Sequence, residues 1–520
     1  MPIKIFLSAF HFILIQTLFS GIEPMPEQTH FAEINRIANR LREAYKINTP
    51  QSSKGHIIIE GEAMNAGTHG TFRLTISADG KFVRRMETAL SETAGFDGET
   101  GWAIDWMGMP RTLGAGDLEW EQFFVYIYTG WWLREDNLFA ATQVDTGNSP
   151  GHLVLKIAHK DSFLQAEVHI DTTSWRVTSV QSNSLRGKDT FILNDYREIA
   201  GLMLPGRMNY LVNDIPMAEY KVRSVFAQRP SVTENPFRPA LPRPNDVRFN
   251  HSISPQLEVQ RAATGHFLIR AKVNGKESGW FILDTGASTS VLSRETIAQL
   301  QLAPIGAIPL TSMFGHVAAP VHRLDRVEIG PFSLHRPIVI EMDFSPLNDA
   351  LGLALTGIIG YDLFSRAIVE IAVAENAVAI FDPSRYQQRD NVWQDLRLQH
   401  QLPVVRASFA ENQQRWFRLD LGAAVTVMFH TPTVRELDLR KNNPTAPTKV
   451  GDLEMVFGSL PWFELAGHRF EQPNVIFMAN ENGPGADPFS AGNIGLEFLK
   501  PFKLIFDYAN LRVAMIKSAK

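Results

Sequence analysis

Two aspartates in a duplicated motif, Asp284 and Asp420, are the residues of this sequence best suited to chemistry. The segment Phe281-Ile-Leu-Asp-Thr-Gly-Ala-Ser-Thr-Ser-Val-Leu292 recurs 136 positions later as Phe417-Arg-Leu-Asp-Leu-Gly-Ala-Ala-Val-Thr-Val-Met428. Two carboxylates held side by side cannot both ionise, because the charge of one raises the pKa of the other. Such a pair shares one proton, and it can therefore supply a general acid and a general base together.

Further landmarks follow both copies of this motif in the same order. The segments Gly357-Ile-Ile-Gly360 and Gly492-Asn-Ile-Gly495 end 76 and 75 positions after their aspartates. Each copy also has a Phe-Gly pair between these landmarks and closes on a strand-like segment: Phe314-Gly315, Phe457-Gly458, 377–382 and 502–507. Short strand-like segments with Gly and Pro turns surround them. This order predicts two homologous lobes, residues 256–385 and 386–520, each supplying one aspartate.

The pattern apolar–apolar–Asp284-Thr-Gly-Ala-Ser, followed by apolar–apolar–Gly-x-Asp, resembles the retropepsin-like aspartic peptidase family over residues 256–520. The resemblance implies two all-β, acid-protease-like lobes in a pseudo-twofold body, with Asp284 and Asp420 as the catalytic pair that activates water. It also implies two active-site loops and two hairpin flaps over the substrate. The residues are Thr285, Gly286, Ala287, Leu421, Gly422 and Ala423 for the loops, and Phe314, Gly315, Phe457 and Gly458 for the flap tips.

The second loop departs from the family pattern at Leu421, where the first loop has Thr285. In the family this hydroxyl reaches the backbone of the opposite lobe and stiffens the catalytic pair. Its loss leaves a buried donor or acceptor unmet, which costs roughly 1–3 kcal/mol unless the surroundings have adapted. Two alternatives to a working pair stay open. Either Asp420 is a relic in a pseudo-enzyme, or two copies of the first lobe associate and form their own pair.

Residues 29–228 are predicted to form a separate α+β domain. The segments 94–105 and 194–205 resemble the exported lipoprotein-carrier (LolA-like) superfamily, which implies a curved antiparallel sheet closed by helices around an apolar hollow. Apolar residues at helical spacing predict a helix over 31–45. The aromatic stretch Trp120–Trp132 is either a helix buried under the sheet or the wall of a cavity for an acyl chain or hydrophobic peptide segment. Six prolines between residues 229 and 255 predict a semi-rigid linker before the lobes.

The first 20 residues have the pattern of a secretory signal peptide. Lys4 precedes the 15-residue apolar run Ile5–Phe19, and the small residues Ser20 and Gly21 follow it. This run is shorter than the roughly 18–20 residues that cross a bilayer comfortably. We therefore expect an exported, periplasmic and soluble protein, and an uncleaved membrane anchor is the alternative.

Composition excludes several other chemistries. The 520 residues contain no cysteine, so thiolate catalysis and cysteine-ligated zinc are impossible, and a net charge of −5 argues against a protein that coats nucleic acid. His316 and His322 lack a third ligand nearby, so we expect both at the surface and predict no metal and no cofactor. The sequence therefore predicts a monomeric aspartic endopeptidase with a protein or peptide substrate, and an apolar ligand in the N-terminal domain is a further partner. The alternative is a non-catalytic envelope protein that binds peptide or lipid on a degenerate protease fold.

Overall fold

The computed structural model describes residues 26–47, 55–114, 116–134, 138–145, 150–199, 201–228, 235–238, 241–312, 315–387, 393–409, 412–441, 446–450, 453–481 and 483–518. Strands dominate these residues, and the fold is mainly β with an N-terminal α+β region, as the sequence predicts. The predicted signal peptide (residues 1–20) and the predicted flap residue Phe314 lie outside them. Within the described ranges, every helix is too short or too polar to cross a membrane.

The N-terminal domain is built on one antiparallel sheet. Its elements are α1 (Pro26–Tyr45), β1 (His56–Asn65), β2 (Thr68–Ser77), β3 (Phe82–Glu87), β4 (Glu92–Phe96), β5 (Gly101–Ile104), β6 (Pro110–Thr112), α2 (Asp117–Thr129), β7 (Phe139–Asp145), β8 (His152–His159), β9 (Gln165–Asp171), β10 (Arg176–Ser184), β11 (Gly187–Asn194), β12 (Arg197–Ile199), β13 (Leu202–Leu204), β14 (Arg207–Val212) and β15 (Ile215–Gln228). The sheet order is β6-β5-β4-β3-β2-β1-β15-β14-β11-β10-β9-β8-β7. The short strands β12 and β13 pair with each other outside this sheet.

Both helices of this domain bury apolar side chains in one core. Ile37, Leu41 and Tyr45 recur at four-residue spacing on α1 and are nearly inaccessible to solvent, which is the burial expected of an amphipathic helix. On α2, Phe123 and Tyr128 are buried in the same core. The aromatic stretch is therefore mainly core, in agreement with the buried-helix interpretation.

The first lobe begins inside the segment predicted as a linker. Its elements are β16 (Val247–Phe249), β17 (Val259–Arg261), β18 (Phe267–Val273), β19 (Lys276–Leu283), β20 (Val291–Ser293), α3 (Arg294–Leu300), β21 (Gly306–Ser312), β22 (Gly315–Arg323), β23 (Arg326–Ile329), β24 (Phe332–His335), β25 (Ile338–Met342), α4 (Ser345–Leu351), β26 (Leu355–Ile359), α5 (Tyr361–Phe364), β27 (Ile368–Ala372) and β28 (Ala377–Phe381). The sheet order is β16-β24-β23-β18-β19-β26-β20-β25-β22-β21, and β17 pairs with β18. The strand β16 fits between Pro244 and Pro255, so this part of the predicted linker is an edge strand of the lobe rather than a free spacer.

The second lobe repeats this plan with one helix fewer among the described residues. Its elements are β29 (Trp393–Asp395), β30 (Arg397–Gln399), β31 (Leu402–Phe409), β32 (Gln413–Asp420), β33 (Val427–Phe429), α6 (Thr431–Glu436), β34 (Thr448–Val450), β35 (Leu453–Ser459), β36 (Trp462–Leu465), β37 (His468–Glu471), β38 (Asn474–Met478), β39 (Gly492–Gly495), α7 (Leu496–Leu499), β40 (Phe502–Asp507) and β41 (Arg512–Lys517). The sheet order is β34-β35-β38-β33-β39-β32-β31-β36-β37, and β30 pairs with β31.

A sheet shared by both lobes joins them at their base, in the order β28-β27-β40-β41-β29. The strands β27 and β40, which pair with each other, each follow the helix after the second landmark glycine. The structural counterpart of 502–507 is therefore 368–372, and the predicted match of 377–382 with 502–507 is wrong by one strand. The shared sheet fixes the two lobes against each other.

Candidate active site

Each aspartate stands at the carboxyl end of a buried strand. Asp284 follows β19, and Asp420 is the last residue of β32. Leu283 and Leu419, which precede them, are completely buried, so the strands are anchored in the core and the loops project from it. Both strands pair in parallel with the strand of the second landmark, β26 or β39. The sequence repeat is therefore also a structural repeat.

Gly286 and Gly422 allow the two carboxylates to approach each other. The N–H of Gly286 donates to Oδ1 of Asp284 at 2.6 Å, and the N–H of Gly422 donates to Oδ1 of Asp420 at 3.0 Å. A Cβ on Gly286 would lie 2.5 Å from Oδ1 of Asp420 and 3.1 Å from Oδ1 of Asp284. The distance between these two oxygens therefore cannot exceed the sum of the two values. A Cβ on Gly422 would lie 2.4 Å from Oδ2 of Asp284. Only glycine fits at either position.

The alanines of the two loops hold the landmark segments in place. The N–H of Tyr361 donates to the carbonyl oxygen of Ala287 at 3.0 Å, and the N–H of Leu496 donates to that of Ala423 at 2.9 Å. A Cβ on Gly360 would lie 2.4 Å from the Ala287 oxygen, so this close crossing requires glycine. Each loop and the segment threaded beside it therefore support each other.

The environment raises the pKa of both carboxylates. Burial, and then the charge of Asp420, raises the pKa of Asp284 to about 7, against weaker opposition from the N–H groups of the two loop glycines. Burial also raises the pKa of Asp420, but Arg418, the Gly422 N–H and Asn493 all favour its charged form. The surroundings of the two carboxylates therefore differ, and Asp284 is the better place for a shared proton.

One hydroxyl and one imidazole connect the lobes beside the pair. The Thr285 hydroxyl donates to the carbonyl oxygen of Leu419 at 2.7 Å and accepts from the N–H of Leu421 at 3.0 Å. Leu421 is completely buried and has no hydroxyl to return the contact. Sequence reasoning missed His266 of the first lobe, whose Nε2 lies 2.9 Å from the carbonyl oxygen of Gly422. This contact ties the second loop to the first lobe on the side where Leu421 cannot.

The second lobe also carries a polar group against Asp420 that the first lobe lacks. Nδ2 of Asn493 donates to Oδ2 of Asp420 at 2.8 Å, and Oδ1 of Asn493 lies 3.1 Å from Nε2 of His430. Burial, and then the charge of Arg418, lowers the pKa of His430 to about 4, so His430 is neutral above that pH. The equivalent of Asn493 in the first lobe is Ile358. Asn493 is the one polar residue in an otherwise apolar landmark, and that contrast was a signal in the sequence.

Arg418 lies behind this group in a buried ion pair. Its guanidinium donates to Oδ2 of Asp487, and both side chains are almost inaccessible to solvent. The same oxygen accepts from Gln399 at 2.9 Å and from the Ser490 hydroxyl at 2.7 Å. Although burial acts to raise it, the pKa of Asp487 is lowered by Arg418. The equivalent of Arg418 in the first lobe is Ile282, so the buried charge belongs to one lobe.

The structure places the predicted flap residues differently in the two lobes. Gly315 begins β22 and pairs with Ser312 across the β21–β22 turn, where the prediction put it. In the second lobe Val450 of β34 pairs with Leu453 of β35. Phe457 and Gly458 lie inside β35, where they pair with β38, and Phe457 is 61% exposed. These two residues are therefore not at a hairpin turn.

The two histidines expected at the surface also differ. His316 is exposed, but His322 is 2% exposed, and its Nε2 lies 3.0 Å from Oε2 of Glu341. This hydrogen-bond partner explains how the ring is buried, and the surface prediction is wrong for His322. Across the described residues, no group of three or more potential ligand side chains is placed to hold a metal ion.

The sequence model of one protein family, described as aspartyl protease, matches residues 269–363. This segment runs from β18 to α5 and contains Asp284 and the first landmark glycines. A comparison with curated proteins gives no match. The family match indicates aspartyl protease activity in general, and therefore a hydrolase with a peptide substrate.

Proposed function

We propose that this protein is an exported, single-chain aspartic endopeptidase whose catalytic pair is Asp284 and Asp420. The observation that carries the proposal is the reciprocal packing of Gly286 against Asp420 and Gly422 against Asp284. It puts two half-buried carboxylates side by side, which is the arrangement that shared-proton chemistry requires. Leu421 does not prevent it, because Thr285 and His266 still connect the lobes.

The unequal surroundings assign the two roles. Asp420, which accepts hydrogen bonds from Asn493 and Gly422, is the base that takes a proton from water. Asp284 holds the other proton and gives it to the carbonyl oxygen as the water oxygen bonds to carbon. In the second step the C–N bond breaks, the nitrogen takes the proton from Asp420, and a hydroxyl of the intermediate returns a proton to Asp284. Both aspartates end as they began.

The test is hydrolysis of an unstructured peptide library by the purified chain, with products identified by mass spectrometry. We expect cleavage at acidic pH and its loss as pH rises through about 7, where Asp284 gives up its proton. Asp284→Asn and Asp420→Asn should each abolish cleavage, whereas Asp349→Asn, an exposed carboxylate elsewhere on the first lobe, should not. Full activity of Asp420→Asn would contradict the two-lobe pair and indicate association of first lobes.

The proposal includes export and a monomeric state. The residues that support export are the apolar run and small residues at 5–21. A mature N-terminus near residue 21, in protein recovered from the periplasmic fraction, is the expected result, and an intact Met1 in a membrane fraction would support the anchor instead. A single-chain mass by light scattering tests the monomer.

The LolA-like assignment of residues 29–228 belongs to the same proposal. A single antiparallel sheet with α1 and α2 buried against it supports this assignment. We propose that the domain acts as a binding module for the peptidase substrate rather than as a lipid carrier, because the aromatic side chains of α2 fill the core.

A further inference from the structure

A cavity of about 430 Å³ lies between the N-terminal domain and the catalytic pair. On one side it is lined by Asp420, Gly286 and Asn493. The rest of the lining includes side chains from β1, β3, β4, β5, β6, α2, β14 and β15 of the N-terminal domain. Its volume is within the range of about 300–1,000 Å³ typical of ligand sites. Any group bound at the pair therefore also faces the N-terminal domain.

The predicted flap hairpin of the first lobe is attached to this wall. The N–H of Ala307 on β21 donates to the carbonyl oxygen of Ala66 at 2.8 Å. The hydroxyl of Thr311 donates to the carbonyl oxygen of Arg186 and lies 3.1 Å from Nδ2 of Asn213. Ala66 is completely buried in the apolar core of the first lobe. The hairpin and the N-terminal domain therefore form one surface.

The second lobe is attached to the same domain through a buried carboxylate. Asp117, at the start of α2, accepts from the N–H of His400 at 2.9 Å and lies 3.0 Å from its Nδ1. Gln401 donates to Asp105 at 3.2 Å. Asp117 is only 3% exposed and His400 is half-buried, so the carboxylate is buried in a satisfied contact. With both lobes attached in this way, the N-terminal domain is a fixed wall of the cavity rather than a neighbour on a loose linker.

Among the described residues, the charged side chains on the cavity wall have an ion-pair or hydrogen-bond partner, with one exception. Every arginine that lines the cavity has an acidic partner within 4 Å: Arg84 with Glu121, Arg111 with Asp117, Arg186 with Asp189, and Arg418 with Asp487. Asp105 accepts hydrogen bonds from Gln401 and from the N–H groups of Met107 and Met109. Glu92 on β4 is different, because its carboxylate has no hydrogen bond or ion pair with any described residue.

We infer that the N-terminal domain forms part of the substrate site and that Glu92 binds a positively charged group of the peptide, either a Lys or Arg side chain or the α-ammonium group. Burial raises the pKa of Glu92, and a cation bound beside it favours its charged form. Because the other charged groups of the wall already have ion-pair or hydrogen-bond partners, Glu92 is the group left to discriminate between substrates. This inference rests on the proposed function and names the substrate class of the same site.

The experiment compares matched peptides on the full chain. One set carries Lys or norleucine at each position near the scissile bond, and each peptide is made with a free and an acetylated amino terminus. Binding is measured by calorimetry on uncleavable versions with a hydroxyethylene group in place of the scissile amide, and kcat/KM is measured on the cleavable ones. The variants are Glu92→Gln and the control Glu87→Gln, a carboxylate on the exposed side of the neighbouring strand β3.

We expect the positively charged peptide to bind the parent chain about tenfold more tightly than its neutral partner. Glu92→Gln should lose this preference, and Glu87→Gln should keep it. The comparison of Lys with norleucine, and of the free with the acetylated amino terminus, shows which cation is bound. A parent chain without preference, an undiminished preference in Glu92→Gln, or failure of every peptide to bind would overturn the inference. A preference in binding that depends on Glu92, without any hydrolysis, would instead contradict the proposed function and leave the inference standing.

Discussion

Replacing Asn493 with leucine tests how the chain makes its two aspartates unequal. Leucine keeps the approximate size of the side chain but removes the N–H that donates to Oδ2 of Asp420 at 2.8 Å. A hydrogen bond to a charged acceptor contributes about 1.5–3 kcal/mol, and one pKa unit corresponds to about 1.4 kcal/mol. We therefore expect the pKa of Asp420 to rise by about one to two units in Asn493→Leu.

The assay is the pH dependence of kcat/KM on a neutral peptide. In the proposed mechanism Asp420 is the base and must be ionised, so a higher pKa should move the acidic limb of the profile to higher pH, by about one to two units. The plateau above that limb should change much less. Ile358→Leu, at the equivalent position of the first lobe, removes no hydrogen bond and is the matched control. An acidic limb that stays in place in Asn493→Leu, together with a loss of stability, would show that Asn493 is only structural.

The direction of this effect depends on the proton of His430. With a proton on Nε2, His430 donates to Oδ1 of Asn493 and thereby turns the amide nitrogen towards Asp420. The Nδ1 atom lies 2.9 Å from the carbonyl oxygen of Ser490, which accepts only from a protonated Nδ1, so the contacts with Asn493 and Ser490 compete for the single proton of the neutral ring. Nitrogen NMR of the folded chain should find Nε2 protonated. A bare Nε2 would accept from the amide nitrogen instead, reverse the amide and refute the reasoning.

Of three further predictions, two concern contacts around the pair and one concerns the contact between the N-terminal domain and the second lobe. Thr285→Val removes a hydroxyl that bonds two backbone groups of the opposite lobe, so the free energy of unfolding in urea should fall by about 1–3 kcal/mol; an unchanged value would contradict this. Gly422→Ala places a Cβ 2.4 Å from the Asp284 carboxylate and should abolish cleavage while circular dichroism stays unchanged; a fully active variant would disprove the close approach. Although burial acts to raise it, Arg111 and His400 hold the pKa of Asp117 below its usual range. Its contribution to stability is therefore present above the pKa of an unfolded aspartate, about 3.9, and lost as pH falls. Urea unfolding should show a smaller loss on acidification for Asp117→Asn than for the parent, and equal losses would contradict the assignment.

The repeat in the sequence was sufficient to predict the paired lobes and the strand ends that carry Asp284 and Asp420. It was sufficient because each aspartate stands at the end of a buried strand, two residues before a glycine that the packing requires. At these positions the structure therefore allows few other residue types. Residue type determines the local structure less strictly at Phe457-Gly458. That pair matches Phe314-Gly315 in letters, but the position of a hairpin turn is set by pairing along β35 and not by one dipeptide.

The contacts between the N-terminal domain and the lobes were not predictable from the sequence. The buried contact of Asp117 with His400 joins residues 283 positions apart, and no local pattern marks either one. The same holds for Glu92, whose significance depends on the partners of the other charges around the cavity. Periodicity reports which face of an element is buried, but it does not report which domain covers it.

The fusion of two lobes in one chain allows the catalytic pair to be asymmetric. In a symmetric dimer of identical lobes, any residue beside one aspartate stands beside the other as well. Here each position exists once, and the second lobe has Asn493 and Arg418 where the first has Ile358 and Ile282. Both differences favour a charged Asp420, while burial and the charge of Asp420 raise the pKa of Asp284 to about 7, so in the proposed mechanism Asp284 keeps the shared proton. The presence of Leu421, where the first lobe has Thr285, is consistent with this asymmetry. One hydroxyl, that of Thr285, already bonds both backbone groups of the opposite loop, and the symmetric contact is not needed once the lobes are joined by a common sheet.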